Sequence, residues 1–381
     1  MRSKKVMALI AAGRLAVSLL AGCGAKPESK EESVEAEAVE ETEETEETAA
    51  ESEAAAEETE EAAAESEAAE EETEEAAAES EAAEEEEPGD TYLIGICQLV
   101  QHEALDAATK GFKDVLTEEF GDRVTFDEQN AAGDTSTATT ICTNLVSEKV
   151  DLILANATPA LQSAAAATNE IPILGTSITE YGVALEIDDF DGTVGGNISG
   201  TSDLAPLDQQ ADMVVELFPE AKTAGILYCS AEANSKYQAD VVKEALEGKG
   251  LEVTVYTFSD SNDVASVTGE ACSNSDVLYI PTDNTAASCT EAINNVALPA
   301  GVPIVVGEEG IMSGCGVATL SINYYDLGRT TGEMAVRVLN GEDISAMPIE
   351  YFQGPVKEYN PAICEQLGIT VPDDYVAYEA E

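Results

Sequence analysis

From Thr91 onward the sequence predicts an α/β protein of two lobes, each built on a doubly wound parallel sheet. Three observations predict it. Short β-branched runs alternate with longer segments of helical period, the pattern of βα units. The alternation runs through one series, reaches a Gly-rich stretch at 191–200, and starts again. Apolar residues make up 44% of the 381-residue chain, enough for more than one globular core.

In the first series Tyr92–Val100 reads as a buried strand and Ala104–Glu119 as a helix. Val124–Glu128 is a strand, Thr137–Lys149 a helix and Asp151–Ala155 a strand. A helix opens at Pro159, where proline suits the first turn. Ile171–Leu174 is a strand and Val183–Ile187 a weaker one. In the second series Ala205–Phe218, Asn234–Gly248, Asp263–Ser273 and Ala286–Ala297 are helices. Thr223–Cys229, Val253–Phe258, Val277–Ile280, Val302–Val306 and Ala318–Ile322 are strands. Leu327–Leu339 is a helix with Gly341 as its stop. Ile349–Gln353 and a short helix, Pro361–Leu367, follow.

Open α/β sheets bind ligands outside the carboxyl ends of their strands. The residues there are neutral hydroxyls, amides and a few carboxylates, with almost no bases. Taken singly, each is a better candidate for a helix N-cap. Six such clusters at strand ends point together to ligand contacts. The candidates are Gln98, His102, Asn156, Thr158, Thr176, Ser177, Asp203, Glu232, Asn234, Asp283, Asn284 and Glu308. Asp or Glu can hold an ammonium, and hydroxyls beside helix N-termini can hold a carboxylate. The set therefore suits an amino acid zwitterion. Asp283 and Glu232 are the candidates for the ammonium, with Glu308 as alternative, and Thr158, Thr176 and Ser177 those for the carboxylate. Tyr181, Tyr324 and Tyr325 could supply flat apolar walls.

Upstream the chain changes character twice. Residues 1–27 carry a net charge of +5, 28–87 a net of −29, and 88–381 a net of −36. Arg2, Lys4 and Lys5 precede an apolar run that ends in Leu20-Ala21-Gly22-Cys23, so 1–22 reads as an export signal. Arg14 interrupts its apolar core. Residues 28–87 repeat Glu-Ser-Glu at 51, 65 and 79 and hold no Leu, Ile, Phe or Tyr. Such a tract has nothing to bury, so 23–90 is expected to be an acidic, disordered Glu/Ala tether.

The composition also excludes functions. A net charge of −60 repels nucleic acid. One His forbids a His-rich metal site, and no metal or cofactor is expected. There is no Walker A sequence, no Gly-x-Gly-x-x-Gly and no Gly-x-Ser-x-Gly elbow. With no nucleophile–base pair, an enzyme is not expected. Seven cysteines remain after Cys23, without Cys-x-x-Cys spacing, and read as small buried thiols.

The strand-end motifs carry a resemblance. Gly95-Ile-Cys-Gln98 with His102 and Ala104-Leu-Asp106, Asn156-Ala-Thr-Pro-Ala160, Gly175-Thr-Ser177, Gly200-Thr-Ser-Asp203, Glu232-Ala-Asn-Ser235, Pro281-Thr-Asp-Asn284 and Gly307-Glu-Glu-Gly310 fall in one order across 91–370. They resemble the solute-binding lipoproteins of ABC importers, in the branch with tryptophan- and tyrosine-binding members. The Leu-Ala-Gly-Cys run resembles a lipobox, which implies Cys23 as lipid anchor. The resemblance implies the type I periplasmic-binding-protein fold, two Rossmann-like lobes joined by three crossovers. The lobes are expected at 91–203 plus 322–348 and at 204–321 plus 349–381. It further implies a lipid-anchored extracytoplasmic monomer that captures an amino acid, often aromatic, by hinge closure and delivers it to a permease with a cytoplasmic ATPase. The rival readings are a sugar, nucleoside or peptide as ligand, or a sensor that presents ligand to a receptor.

Overall fold

The computed structural model describes residues 90–352 and 354–379. The expected export signal, the lipid anchor Cys23 and nearly all of the tether lie outside the described residues.

The first sheet is laid down by β1 (Tyr92–Gln98), β2 (Val124–Asn130), β3 (Leu152–Asn156), β4 (Ile173–Ile178) and β5 (Ile198–Ser202). Between them run α1 (Glu103–Phe120), α2 (Thr135–Glu148), α3 (Thr158–Ala167) and the single turn α4 (Tyr181–Ala184). The chain then enters the second sheet. Its strands are β6 (Thr223–Cys229), β7 (Glu252–Phe258), β8 (Val277–Ile280), β9 (Ile304–Val306) and β10 (Ala318–Ser321). Its helices are α5 (Leu207–Leu217), α6 (Ala233–Gly248), α7 (Val264–Asn274), α8 (Asn284–Ala287), α9 (Thr290–Ala300) and α10 (Glu309–Gly314). A second crossover leads back through α11 (Tyr324–Leu339) to β11 (Glu350–Tyr351), which pairs with β5 in the first sheet. The third returns to β12 (Val356–Tyr359), α12 (Pro361–Leu367) and β13 (Val376–Ala377) in the second sheet.

The strand orders are β11-β5-β4-β3-β1-β2 and β13-β12-β10-β9-β8-β6-β7. Each sheet thus repeats the order 2-1-3-4-5, with a topological switch between its first and third strands. Among the described residues every strand-to-strand pairing is parallel except that of β10 with β12. Parallel strands bury both faces. In the first sheet Ile94, Ile96, Leu152, Leu154 and Leu174 pack against Phe112 and Leu116 of α1 and Met334 of α11. The opposite face packs on Ile141 and Leu145 of α2 and Leu161 of α3. The second sheet is sandwiched in the same way, with α5, α6 and α12 on one face and α7, α9 and α10 on the other.

Four expectations need correction. Val183–Ile187 is not a strand: Tyr181–Ala184 is one helical turn capped by Glu180, whose carboxylate accepts from Val183 N at 2.5 Å. The fifth strand is instead Ile198–Ser202, inside and just beyond the Gly-rich stretch. Ala286–Ala297 is not one helix but two, broken at Ser288 and Cys289. The strand expected to open the last segment of the second lobe lies in the first sheet, so the third crossover follows Tyr351.

Helices α1 and α11 come from distant parts of the chain and lock together through glycines. A Cβ on Gly328 would sit 2.0 Å from the Ala108 carbonyl oxygen, and one on Gly111 2.1 Å from that of Tyr325. Backbone cannot yield as a side-chain tip can. Gly328→Ala should therefore destabilise the protein by about 2–3 kcal/mol, as overpacking does. Gly248→Ala, with nothing within 4 Å of the new methyl, should be neutral or slightly stabilising. Denaturant unfolding of both variants checks this, and equal midpoints would refute it.

Candidate functional site

The carboxyl ends of the two sheets meet around a small, nearly closed cavity of about 10 Å³. The first lobe lines it with His102 after β1, Leu105 from α1, Ser177 and Thr179 at the end of β4, Asp203 after β5, and Tyr324 from α11. The second lobe adds Asn234 after β6, Thr282, Asp283, Asn284 and Ala287 after β8, and Glu308 after β9. Both topological switches thus open onto the same space. Tyr324 also walls a wider open groove of about 460 Å³ with Tyr325 and Tyr378.

The backbone at two strand ends of the first lobe is held in costly conformations. Ala157 has φ 88° and ψ 155°, and Ser177 has φ 56° where the β4–β5 register shifts. Such geometry costs on the order of 1–3 kcal/mol per residue and gathers at functional sites. Tyr181 holds the bulge in place, its hydroxyl donating to the carbonyls of Gly175 and Thr201, both at 3.1 Å.

Seven of the twelve candidates line the cavity: His102, Ser177, Asp203, Asn234, Asp283, Asn284 and Glu308. Five do not. Gln98 donates to Asp106 Oδ1 at 2.6 Å and accepts from Thr109 Oγ1 at 2.6 Å, which fastens α1 to β1. Asn156 donates to the Leu105 carbonyl and to Thr109 Oγ1, both at 2.9 Å. Thr176 accepts from Thr331 of α11 at 3.1 Å, inside the helix–sheet layer. Thr158 is buried in the first turn of α3. Glu232 accepts from Asn284 N and Nδ2 at 3.0 and 2.6 Å, from Thr285 N and Oγ1 at 2.9 and 2.8 Å, and from Asn234 Nδ2 at 3.3 Å. Of the aromatic candidates only Tyr324 reaches the cavity. Tyr325 donates to Asp114 at 2.9 Å, away from it. Leu105 and Thr282 stood in the sequence only as members of the Ala104-Leu-Asp106 and Pro281-Thr-Asp-Asn284 motifs; Thr179 and Ala287 were not singled out, and no residue type marks them.

The cavity carboxylates differ in what they have left to offer. Asp283 caps α8, accepting from Ala286 N at 2.8 Å and from Cys229 N at 2.7 Å on its other oxygen. Glu308 caps α10, accepting from Ile311 N at 2.6 Å and Gly310 N at 2.8 Å. Asp203 accepts from the Tyr324 hydroxyl at 3.0 Å through Oδ2, and its Oδ1 is buried without a partner. Desolvation pushes Asp203 up to about 6 and Glu308 up to about 7. Burial, with the charge of Glu232 second, pushes Asp283 up to about 8.

His102, Ser177 and Asn234 each bring a further unpartnered buried atom to the cavity: Nδ1, Oγ and Oδ1. Buried polar groups are nearly always paired in folded proteins. Four unpaired atoms on residues around one void are what a polar ligand would complete. The lobes also touch across the cleft. His102 Nε2 lies 3.3 Å from Asn284 Oδ1, and Glu103 accepts from Ser313 Oγ at 3.1 Å and from the Tyr378 hydroxyl at 2.8 Å.

Residues 93–381 match the sequence family of ABC transporter substrate binding proteins. A tyrosine-binding protein of Clostridioides difficile (strain R20291) is 38% identical over 259 residues, 67% of this chain and 75% of that protein. Among solved structures, an ABC domain from Streptococcus pneumonia in complex with L-Trp is 35% identical with a TM-score of 0.72, over 74% of this chain and 97% of that one. The ligand-free, open form of a substrate binding protein with adhesive properties from Clostridium difficile is 37% identical with a TM-score of 0.58, over 76% of this chain and 100% of that one.

The raised carboxylates set a pH dependence of stability. Their ordinary values are 3.8 for Asp and 4.5 for Glu, so between about pH 4 and pH 8 the folded protein binds more protons than the unfolded one. Their contribution is complete below pH 4 and is lost as pH rises through about 6, 7 and 8. The denaturant midpoint should fall from pH 5 to pH 8.5, and fall less steeply in Glu308→Gln. A midpoint that rises over this range would contradict the assignment.

Proposed function

Because the chain belongs to the ABC transporter substrate-binding proteins, we propose that it captures an amino acid with an aromatic side chain between its lobes and hands it to an importer's permease. The observation that carries this reading is the convergence of four unpartnered polar atoms, from both lobes, on one cavity. The ligand's ammonium binds Asp203 Oδ1, the one oxygen among the cavity carboxylates that accepts no hydrogen bond. This moves the role from Asp283 and Glu232, whose oxygens are engaged by helix N-termini. The ligand's carboxylate takes the Ser177 hydroxyl, which the β4 bulge turns into the cleft. Leu105, Ala287 and Tyr324 form the apolar walls. The tyrosine-binding relative and the L-Trp complex support an aromatic amino acid.

Capture proceeds by hinge closure, with 91–203 and 322–351 as one lobe and the rest of the domain as the other. The likeness is greater to the L-Trp complex than to the open, ligand-free form at similar identity, which supports a closed arrangement here. The monomer stands outside the cell membrane, held by lipid on Cys23 at the end of the acidic tether.

Calorimetric titration with the twenty amino acids, simple sugars and nucleosides tests the ligand. Tyr, Trp or Phe should bind, and Asp203→Asn should weaken binding about tenfold or more, the effect of losing a charge-assisted hydrogen bond. A response only to a sugar or nucleoside would refute the amino acid. For the anchor, Cys23→Ser should release the protein from the membrane fraction into the medium; retention would refute lipid attachment.

A further inference from the structure

The hydrogen bonds around His102 determine which of its ring nitrogens carries the proton. Glu232 Oε2, an acceptor only, lies 2.6 Å from the Asn284 side-chain amide, so the NH₂ group must face it. The carbonyl Oδ1 of Asn284 therefore faces His102, 3.3 Å from Nε2. A carbonyl accepts, so Nε2 must hold the hydrogen. Burial, the largest influence on the ring, favours its neutral form. In the neutral ring Nδ1 then carries a bare lone pair, and it is buried without a partner on a residue that lines the cavity. The imidazole is not used as a cap, since His102 makes no side-chain hydrogen bond to α1.

The other unpartnered atoms sharpen the point. The Asn234 NH₂ group donates to Glu232 and to the Thr282 carbonyl, so its free Oδ1 is an acceptor. Asp203 Oδ1 is an acceptor as well. With Ser177 Oγ engaged by the ligand's carboxylate, three fixed acceptors remain, on both sides of the void. An ammonium group projects its three N–H bonds from one atom and satisfies acceptors clustered about that atom. His102 follows β1 and Asp203 follows β5, with β3 and β4 lying between those two strands in the sheet.

We propose that His102 is a specificity-determining residue, its Nδ1 accepting a hydrogen bond from an O–H or N–H on the ligand's side chain, so that the site prefers aromatic amino acids with a ring donor over phenylalanine. Asn284 and Glu232 are positioning residues that hold the ring in this tautomer. The inference rests on the amino acid reading above and adds the chemical basis of its selectivity. A ligand that lacks the donor leaves a buried acceptor unpaired, and sites built to hydrogen-bond a hydroxyl reject the analogue without it.

The test compares Tyr, Trp and Phe by calorimetry on the untagged full chain and on His102→Leu. Tyr or Trp should bind at least tenfold tighter than Phe, and the ratio should collapse towards one in the variant. Since His102 is the chain's one histidine, nitrogen NMR of ¹⁵N-labelled protein reads the same ring without ambiguity. The Nε2–H tautomer should be present, and the Nδ1 resonance should move on binding Tyr or Trp but not Phe. Phe binding as tightly as both others, or a proton found on Nδ1, would overturn the role of His102 while leaving amino acid capture standing. Absence of binding by all three would overturn the aromatic amino acid reading itself.

Discussion

The Glu232 carboxylate organises the second lobe's side of the cleft. It gathers five hydrogen bonds from Asn234, Asn284 and Thr285, and in doing so closes the start of α8 onto the end of β6. Much follows from that one group. Asn284 is turned so that its carbonyl faces His102, and Asn234 is turned so that its own carbonyl is free. The charge of Glu232 also adds to the desolvation that raises Asp283. A carboxylate with all its lone pairs occupied is a poor ligand contact but a strong orienting device. It sets the polarity of neighbours that do face the cavity.

The architecture was legible because the βα alternation is strong and the strand ends carry polar clusters that cores cannot absorb unpaired. Which polar residue at each end would face the ligand was not legible, and the reason is parity. Ile94, Ile96 and Gln98 form one row on β1; Leu152, Leu154 and Asn156 form the same row on β3; Leu174 and Thr176 continue it on β4. That row faces α1 and α11, so its last members fasten helices. In a parallel sheet both faces are buried, and the sequence of a strand does not say which of two buried layers a residue enters. Ser177 lies outside that row by alternation, and the bulge keeps it from the opposite layer, which Ile173 and Ile178 enter. The strand Ile198–Ser202 was hidden for another reason. It has one large apolar residue, and Gly200 adopts φ 146° where a Cβ would collide with the Gly175 carbonyl oxygen at 2.1 Å. A pattern search treats such a glycine as a turn, whereas here it permits close strand approach.

The cavity is also energetically expensive. Three carboxyl groups are buried around it, Ser177 in its lining holds strained backbone, and four polar atoms lack partners. None of these features improves the fold by itself, and a core of apolar side chains would be more stable. Their concentration at the meeting point of two sets of strand ends, against well-packed layers elsewhere, separates recognition from support within the same domain.

Each sheet, taken alone, runs through the same strand order, 2-1-3-4-5. The chain therefore presents one scaffold twice, and the two copies bring equivalent corners to a common space. Equivalent corners cannot tell the head of a molecule from its tail. Direction has to be written in side chains: a carboxylate with an idle oxygen and a lone-pair nitrogen on one copy, carboxylates stoppered by helix ends on the other. With the contacts proposed above, an asymmetric guest would be read in a single orientation by a host whose strand order has none to offer.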